Sequence, residues 1–220
     1  MFEAVVVCVD YADFLGLTLP RMLACFDELA VVTVGEDEQT QALARSHGAR
    51  LVVSPRRNFK GLAFNLPALL NDGFAALRKS GWLVKLDADI YLPPGFERSM
   101  RETMTDPDKL YGAQRFFAED RASFTRFCEQ GDWDLLEPPY ESLDAALGFF
   151  QGFHAETPHL AGRPTYYEEQ RYVGPSQTND RLFRAAFPEQ GVRVLSDPVV
   201  HLGLDAIGTN WRGRVSPRFE

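Results

Sequence analysis

Short apolar runs rich in β-branched residues alternate along the first half of the chain with stretches whose apolar residues recur every three or four positions. Residues 5–9 predict a first strand, closed by Asp10. Leu15, Leu19, Met22, Leu23 and Phe26 then share one helical face, with Pro20 expected in the first turn or at a kink. Residues 29–34 predict a second strand ended by Gly35, and 36–47 a helix stopped by Gly48. A third strand is expected over 51–53, before Pro55. Residues 65–79 carry Leu66, Leu69, Leu70, Phe74 and Leu77 at helical spacing, and Gly81 closes that helix. Residues 82–86 predict a fourth strand, leading into Asp87-Ala88-Asp89.

The pattern changes after about Leu110. Residues 110–114 and 148–154 predict strands, whereas 116–140, rich in aromatics, charge and proline, carry no clear period. Thr178-Asn179-Asp180 is expected to open a helix with Thr178 as its cap, carrying Leu182, Phe183, Ala186 and Phe187. Residues 192–195 and 199–202 predict two short strands, and 208–220 a mobile tail or lid. Strands alternating with helices imply βαβ units: an α/β fold with a Rossmann-like, mostly parallel sheet flanked by helices, and a more irregular second half.

Composition narrows the class without naming a function. The 220 residues suit one domain, which we divide into 1–115, 116–207 and a tail at 208–220. A net charge of −8 lacks the basic footprint of a nucleic-acid binder. Three cysteines without C-x-x-C spacing argue against a disulfide framework and suggest a reducing, cytoplasmic setting. There is no run of apolar residues long enough for a membrane span and no signal-peptide pattern.

In parallel α/β sheets, ligands sit beyond the carboxyl ends of the strands. Asp10, Gly35 and Glu36, residues 55–60 and Asp87-Ala88-Asp89 all fall at such ends. Two carboxylates at a strand end repel each other unless a cation lies between them, and oxygen ligands suit Mn or Mg. A D-x-D on its own is a common accident of composition. Here it gains weight from the strand before it and the sharp Leu92-Pro93-Pro94 stop after it.

Asn58-Phe59-Lys60-Gly61, Phe64-Asn65, the block from Gly81 through Asp87-Ala88-Asp89 to Pro93, and Leu110-Tyr111-Gly112 together resemble the GT-A fold glycosyltransferases. The likeness is to small family 2-like members of bacteria and their viruses. Cys8-Val9-Asp10-Tyr11-Ala12-Asp13-Phe14-Leu15 is similar to their first strand and helix.

The resemblance implies a metal-dependent transferase that moves a sugar from a nucleoside-diphosphate sugar, UDP-sugar favoured, to an acceptor hydroxyl. It implies Asp10 and Tyr11 near the donor nucleoside, Lys60 near its phosphates and Asn65 facing the nucleotide. Asp87 and Asp89 would hold the cation, with His201 as a further metal ligand in preference to His47, His154 and His159. Asp180 would be the catalytic base of an inverting reaction. Arg212 and Arg214 would neutralise the leaving diphosphate. The family's base-gripping Asp-Asp-Gly-Ser run is replaced here by Thr33-Val34-Gly35-Glu36-Asp37, which leaves Glu36 as its substitute.

Arg115 and Trp133 are candidates for the acceptor side, since sugar faces stack on aromatic rings. The acceptor is open: a small molecule, a glycan, a protein or a hydroxymethylated base in viral DNA, the last disfavoured by the negative charge. Two other readings are a nucleotidyltransferase, which usually shows a glycine-rich loop absent after the first strand, and a non-catalytic sugar-binding protein.

Overall fold

The structure, a computed structural model, describes residues 1–55, 65–139, 146, 148–169, 176–203, 214 and 218–219. The chain forms β1 (Phe2–Val7), α1 (Ala12–Cys25), β2 (Glu28–Val34), α2 (Glu38–Ser46), β3 (Arg50–Ser54), α3 (Leu66–Ala76) and β4 (Trp82–Asp87). These are followed by β5 (Ile90–Tyr91), α4 (Phe96–Thr103), β6 (Leu110–Gly112), β7 (Arg115–Ala118), α5 (Arg121–Gln130) and β8 (Phe150–His154). Helix α6 (Ser176–Arg184), β9 (Val192–Val194) and β10 (Val199–Leu202) complete the regular elements.

Seven strands make one sheet in the order β3-β2-β1-β4-β8-β6-β9. The first four are parallel, β8 runs antiparallel to both β4 and β6, and β9 is parallel to β6. A second sheet, β5-β10-β7, lies at the tip of β4. The large sheet is apolar on both faces, as parallel sheets covered by helices must be. Ala4, Val6, Val84 and Leu86 pack with α1 and α4, whereas Val5, Ala30, Val32 and Leu83 pack with α3 and α6. Helix α3 lies so close that a Cβ on Gly73 would collide with Val5 and Val32.

Several boundaries differ from the sequence reading for identifiable reasons. Strand β1 starts at Phe2 because Glu3, polar in sequence, is wholly buried there. Its carboxylate accepts hydrogen bonds from the backbone N–H groups of Arg78 and Ser80, at 3.0 and 2.9 Å, and so caps the loop before β4. Helix α2 starts after Asp37, which is its N-cap, and Gly48 ends it with φ +70°. Pro20 lies inside α1, where it costs one helical hydrogen bond without ending the helix.

The strand expected over 110–114 ends at Gly112, because the chain crosses from the large sheet to the small one before Arg115, where β7 begins. The unassigned stretch contains β7, α5 with an Asp120 and Ser123 capping box, and a 3₁₀ turn at Trp133–Leu135. Helix α6 begins at Ser176, so Thr178 lies inside it, not at its cap, and Asp180 sits one turn in.

Candidate functional site

Strand β4 sets the site through its alternation. Leu83, Lys85 and Asp87 point to the α3 and α6 face, since strand residues two apart share a side. Lys85 is buried to 2% exposure, and its Nζ lies 2.7 Å from Asp87 Oδ1 and 3.8 Å from Asp180 Oδ1. Burial alone would lower the ammonium's pKa, but Asp180 and Asp87 outweigh it and hold the group above its ordinary value.

Asp180 comes from α6 and lies against β8. Its carboxylate occupies the space that a Cβ on Gly148 would fill. Its pKa is pushed up to about 6, chiefly by burial, with Lys85 opposing and Asp87 adding to the rise. Behind it runs a buried polar chain. Gln151 Nε2 donates to the Asp180 carbonyl at 3.4 Å, and Tyr167 Oη donates to Gln151 Oε1 at 2.8 Å. Asn71 exchanges two hydrogen bonds with the Tyr167 backbone and donates to Glu169 at 3.0 Å. Burial, then Asp180 and Asp87, raise the Tyr167 phenol well above its usual range, so it stays a neutral donor.

Asp89 lies past the strand end, on the other side of the tip. Thr18 Oγ1 donates to the Ala88 carbonyl at 2.7 Å, and Leu202 N donates to the Asp89 carbonyl at 2.9 Å. Pairing of β5 with β10 brings His201 opposite Ile90 and so beside Asp89. His201 Nε2 is 3.6 Å from Asp89 Oδ2, and Nδ1 is 3.0 Å from the Gly203 carbonyl. A carbonyl only accepts, so Nδ1 carries the hydrogen and Nε2 is the ring nitrogen turned toward Asp89.

Asp89 Oδ1 is buried with no hydrogen-bond partner among the described residues. Burial raises the pKa of this carboxyl, His201 lowers it, and Asp87 raises it further. A hard carboxylate oxygen and an imidazole nitrogen form a donor set that fits Mn or Mg. Among the described residues no three His, Cys, Asp or Glu side chains gather as an ion cage. The expected trio therefore divides: Asp89 and His201 stand together, while Asp87 is engaged by Lys85.

Asp10 and Glu36 line one cleft of about 420 Å³ at the carboxyl ends of β1 and β2, with Val9, Val34, Gln39 and Arg218. Asp37, also in its wall, is committed elsewhere. It accepts from the backbone N–H groups of Asp10 and Thr40 and from the hydroxyls of Thr33 and Thr40. Tyr11 is half-buried, its ring stacked on Phe14 at 5.4 Å. Asn65 is the N-cap of α3 and its Oδ1 accepts from Ala68 N, so that oxygen serves the helix.

The arginine expected at the diphosphate is otherwise placed. Arg214 forms a fork with Asp13 at 2.6 and 2.7 Å, donates to the Asp10 carbonyl and lies 4.6 Å above the Tyr11 ring. Its guanidinium anchors the chain end to the first loop, because a bidentate carboxylate satisfies the same fork that a phosphate would use. Arg115 sits over Phe149 at 4.6 Å and acts electrostatically on Asp89, which places it by the strand tip. Trp133 packs on Phe127 and Phe116, at 4.9 and 5.0 Å, as part of a third apolar cluster. Lys60 and Arg212 lie outside the described residues.

Sequence reasoning missed Lys85, Gln151 and Tyr167 as parts of the site. A lysine in the middle of an apolar strand, two residues before a carboxylate pair, was the available signal.

No family model matches the chain, and no curated protein matches it in sequence. Solved structures do match in fold. Glucosyl-3-phosphoglycerate synthase from Mycobacterium tuberculosis, in complex with Mn²⁺, UDP and glucosyl-3-phosphoglycerate, superposes with a TM-score of 0.53 and 17% identity over 99% of this chain and 73% of its own. The same enzyme with Mg²⁺ and UDP gives 0.53 and 16%, over 99% and 72%. Mannosyl-3-phosphoglycerate synthase from Rubrobacter xylanophilus gives 0.54 and 13%, over 94% and 68%. Strand order and these superpositions agree on one architecture: the fold is of the GT-A type.

Proposed function

We propose that this chain is a divalent-metal-dependent glycosyltransferase that uses a nucleoside-diphosphate sugar, UDP-sugar favoured, and inverts the anomeric centre. The observation that carries the reading is Asp89: a largely buried carboxylate with one oxygen that has no hydrogen-bond partner among the described residues, facing Nε2 of His201 at the tip of β4. An oxygen in that position costs stability unless something binds it. Two glucosyl-3-phosphoglycerate synthase structures of similar fold hold Mn²⁺ or Mg²⁺ together with UDP, which agrees with that donor set.

In this reading the cleft beside Asp10 and Glu36 takes the nucleoside, and Asp87, held by Lys85, faces the donor's ribose and phosphates. Asp89 and His201 are the protein ligands of the cation, and Arg115 adds positive charge near them. A bound cation would supply Lewis-acid stabilisation of the departing nucleoside diphosphate. Asp180 accepts the proton of the acceptor hydroxyl as that oxygen attacks the anomeric carbon. A carboxyl with a pKa of about 6 is ionised at neutral pH yet more basic than an ordinary aspartate, which suits that task. Residues 1–115 serve the donor and 116–207 the acceptor. Among the described residues no helix is long and apolar enough to cross a membrane, and with three free cysteines we place the protein in the cytoplasm.

The test is calorimetric titration of UDP with Mn²⁺ and then with EDTA, followed by UDP release from a panel of nucleotide sugars. Tight binding only with Mn²⁺, and metal-dependent release, support the proposal. Equal binding with EDTA overturns it.

A further inference from the structure

We infer that Lys85 is a positioning residue that couples the two halves of the reaction, holding Asp87 on the donor side and Asp180 on the acceptor side with one buried ammonium. The inference rests on the transferase reading and goes beyond it by assigning a role to a residue that touches neither substrate.

Geometry is the first support. Lys85 leaves the sheet on the same face as Asp87, two residues on, so the ammonium reaches that carboxylate at 2.7 Å without leaving its strand. The second carboxylate arrives from a distant part of the chain. Helix α6 lays Asp180 across Gly148, where only a residue without a Cβ leaves room. That places Asp180 Oδ1 at 3.8 Å from the same nitrogen, an ion-pair distance and not a hydrogen bond.

Burial is the second support. A lysine at 2% exposure among Val5, Leu83 and Phe153 is a poor choice for packing alone, because an aliphatic residue of similar size would fill the space without a charge to desolvate. The ammonium is tolerated because two carboxylates face it. The carboxylates in turn lie near each other without repelling freely because it stands between them. Gln151 donates to the Asp180 carbonyl at 3.4 Å and is itself held by Tyr167, which ties α6 to β8 behind the charge. The arrangement is a single cation with two clients, one on β4 and one on α6.

The role predicts non-additivity. UDP release from UDP-glucose, UDP-galactose, UDP-N-acetylglucosamine and GDP-mannose is measured for the wild-type protein with Mn²⁺. Turnover is then compared in Lys85→Met, Asp180→Asn and the double variant. Lys85→Met should cut turnover by about a hundredfold. The double variant should be within about threefold of Asp180→Asn, because residues that act as a unit are lost together. Titration of UDP with Mn²⁺ reads the other client. Lys85→Met should weaken binding about tenfold with Asp87 present and not at all in an Asp87→Asn background.

Multiplicative losses in both cycles, with wild-type turnover intact, overturn the inference and leave the transferase reading standing. A wild-type protein with neither Mn²⁺-dependent UDP binding nor turnover overturns both. Lys85→Gln, one atom shorter but still a hydrogen-bond donor without the charge, repeats the cycles if the methionine variant does not fold. The same outcomes apply to it.

Discussion

Asp87 and Asp89 stand two residues apart at one strand end and live in opposite electrostatic worlds. Asp87 is half-exposed and faces a buried ammonium at 2.7 Å, so its charge is compensated by the protein itself. Asp89 is largely buried, has an oxygen without a hydrogen bond among the described residues, and faces the His201 imidazole at 3.6 Å. A D-x-D pair is thus not two copies of one ligand. The first carboxylate is restrained by its own strand, and the second has one oxygen without a hydrogen bond among the described residues, the oxygen our proposal gives to the cation. The difference follows from position: Asp87 shares a face with Lys85, whereas Asp89 has turned toward the small sheet.

The harshest way to break this contrast is Asp89→Ala. It should abolish Mn²⁺-dependent UDP binding, while the far-UV circular dichroism of the protein is unchanged. Residual Mn²⁺-dependent heat in that variant would move the cation elsewhere. Next in size is Asp180→Asn, expected to lower turnover on the order of a hundredfold with little change in UDP affinity. The product should have inverted configuration by NMR, and retention would remove Asp180 from the role of base.

The pH profile sharpens the same point. Asp180 works ionised and its pKa is about 6, so turnover should fall about tenfold per unit below that value and level off above it. His201→Ala should weaken Mn²⁺ by roughly 10–100-fold, and His154→Ala should not.

The smallest expected effect concerns the chain end. Asp13→Asn should cost about 1–3 kcal/mol in denaturant titration, since it removes charge-assisted bonds to Arg214. Burial opposes ionisation of Asp13, but Arg214 and the Phe219 N–H outweigh it and hold the carboxyl below its ordinary value of 3.8. That contribution is complete above the ordinary value and is lost as pH falls through the lowered one. A variant as acid-sensitive as the wild type would show that the pair adds nothing.

Much of the sheet was legible because period alone carries it: β2, β3, β4 and β10 fall where alternating apolar runs place them. Helix α5 escaped although its Asp120 and Ser123 capping box is local, and other misses come from polar residues whose partners are far away in sequence. Glu3 disguised the start of β1 because its partners are the N–H groups of Arg78 and Ser80. Lys85 looked like an ordinary lysine because its second carboxylate comes from α6.

Candidate chemistry was legible at the strand ends, which is where Asp10, Glu36, Asp87 and Asp89 lie. Arg214 shows the limit. An arginine near the chain end can serve a phosphate or a carboxylate, and nothing local reveals that Asp13 is within reach.

The small sheet has a consequence for how the protein is made. Its central strand, β10, is the last strand among the described residues, and it pairs with β5 and β7, which precede it by some eighty or more residues of chain. Until it is synthesised, β5 and β7 have no common partner, Asp89 lacks the N–H of Leu202, and His201 is absent. A nascent chain can therefore assemble β1 to β4 early, with most of the walls of the cleft beside Asp10 and Glu36, while the strand tip stays incomplete. The tip of β4 is finished by one late, long-range closure.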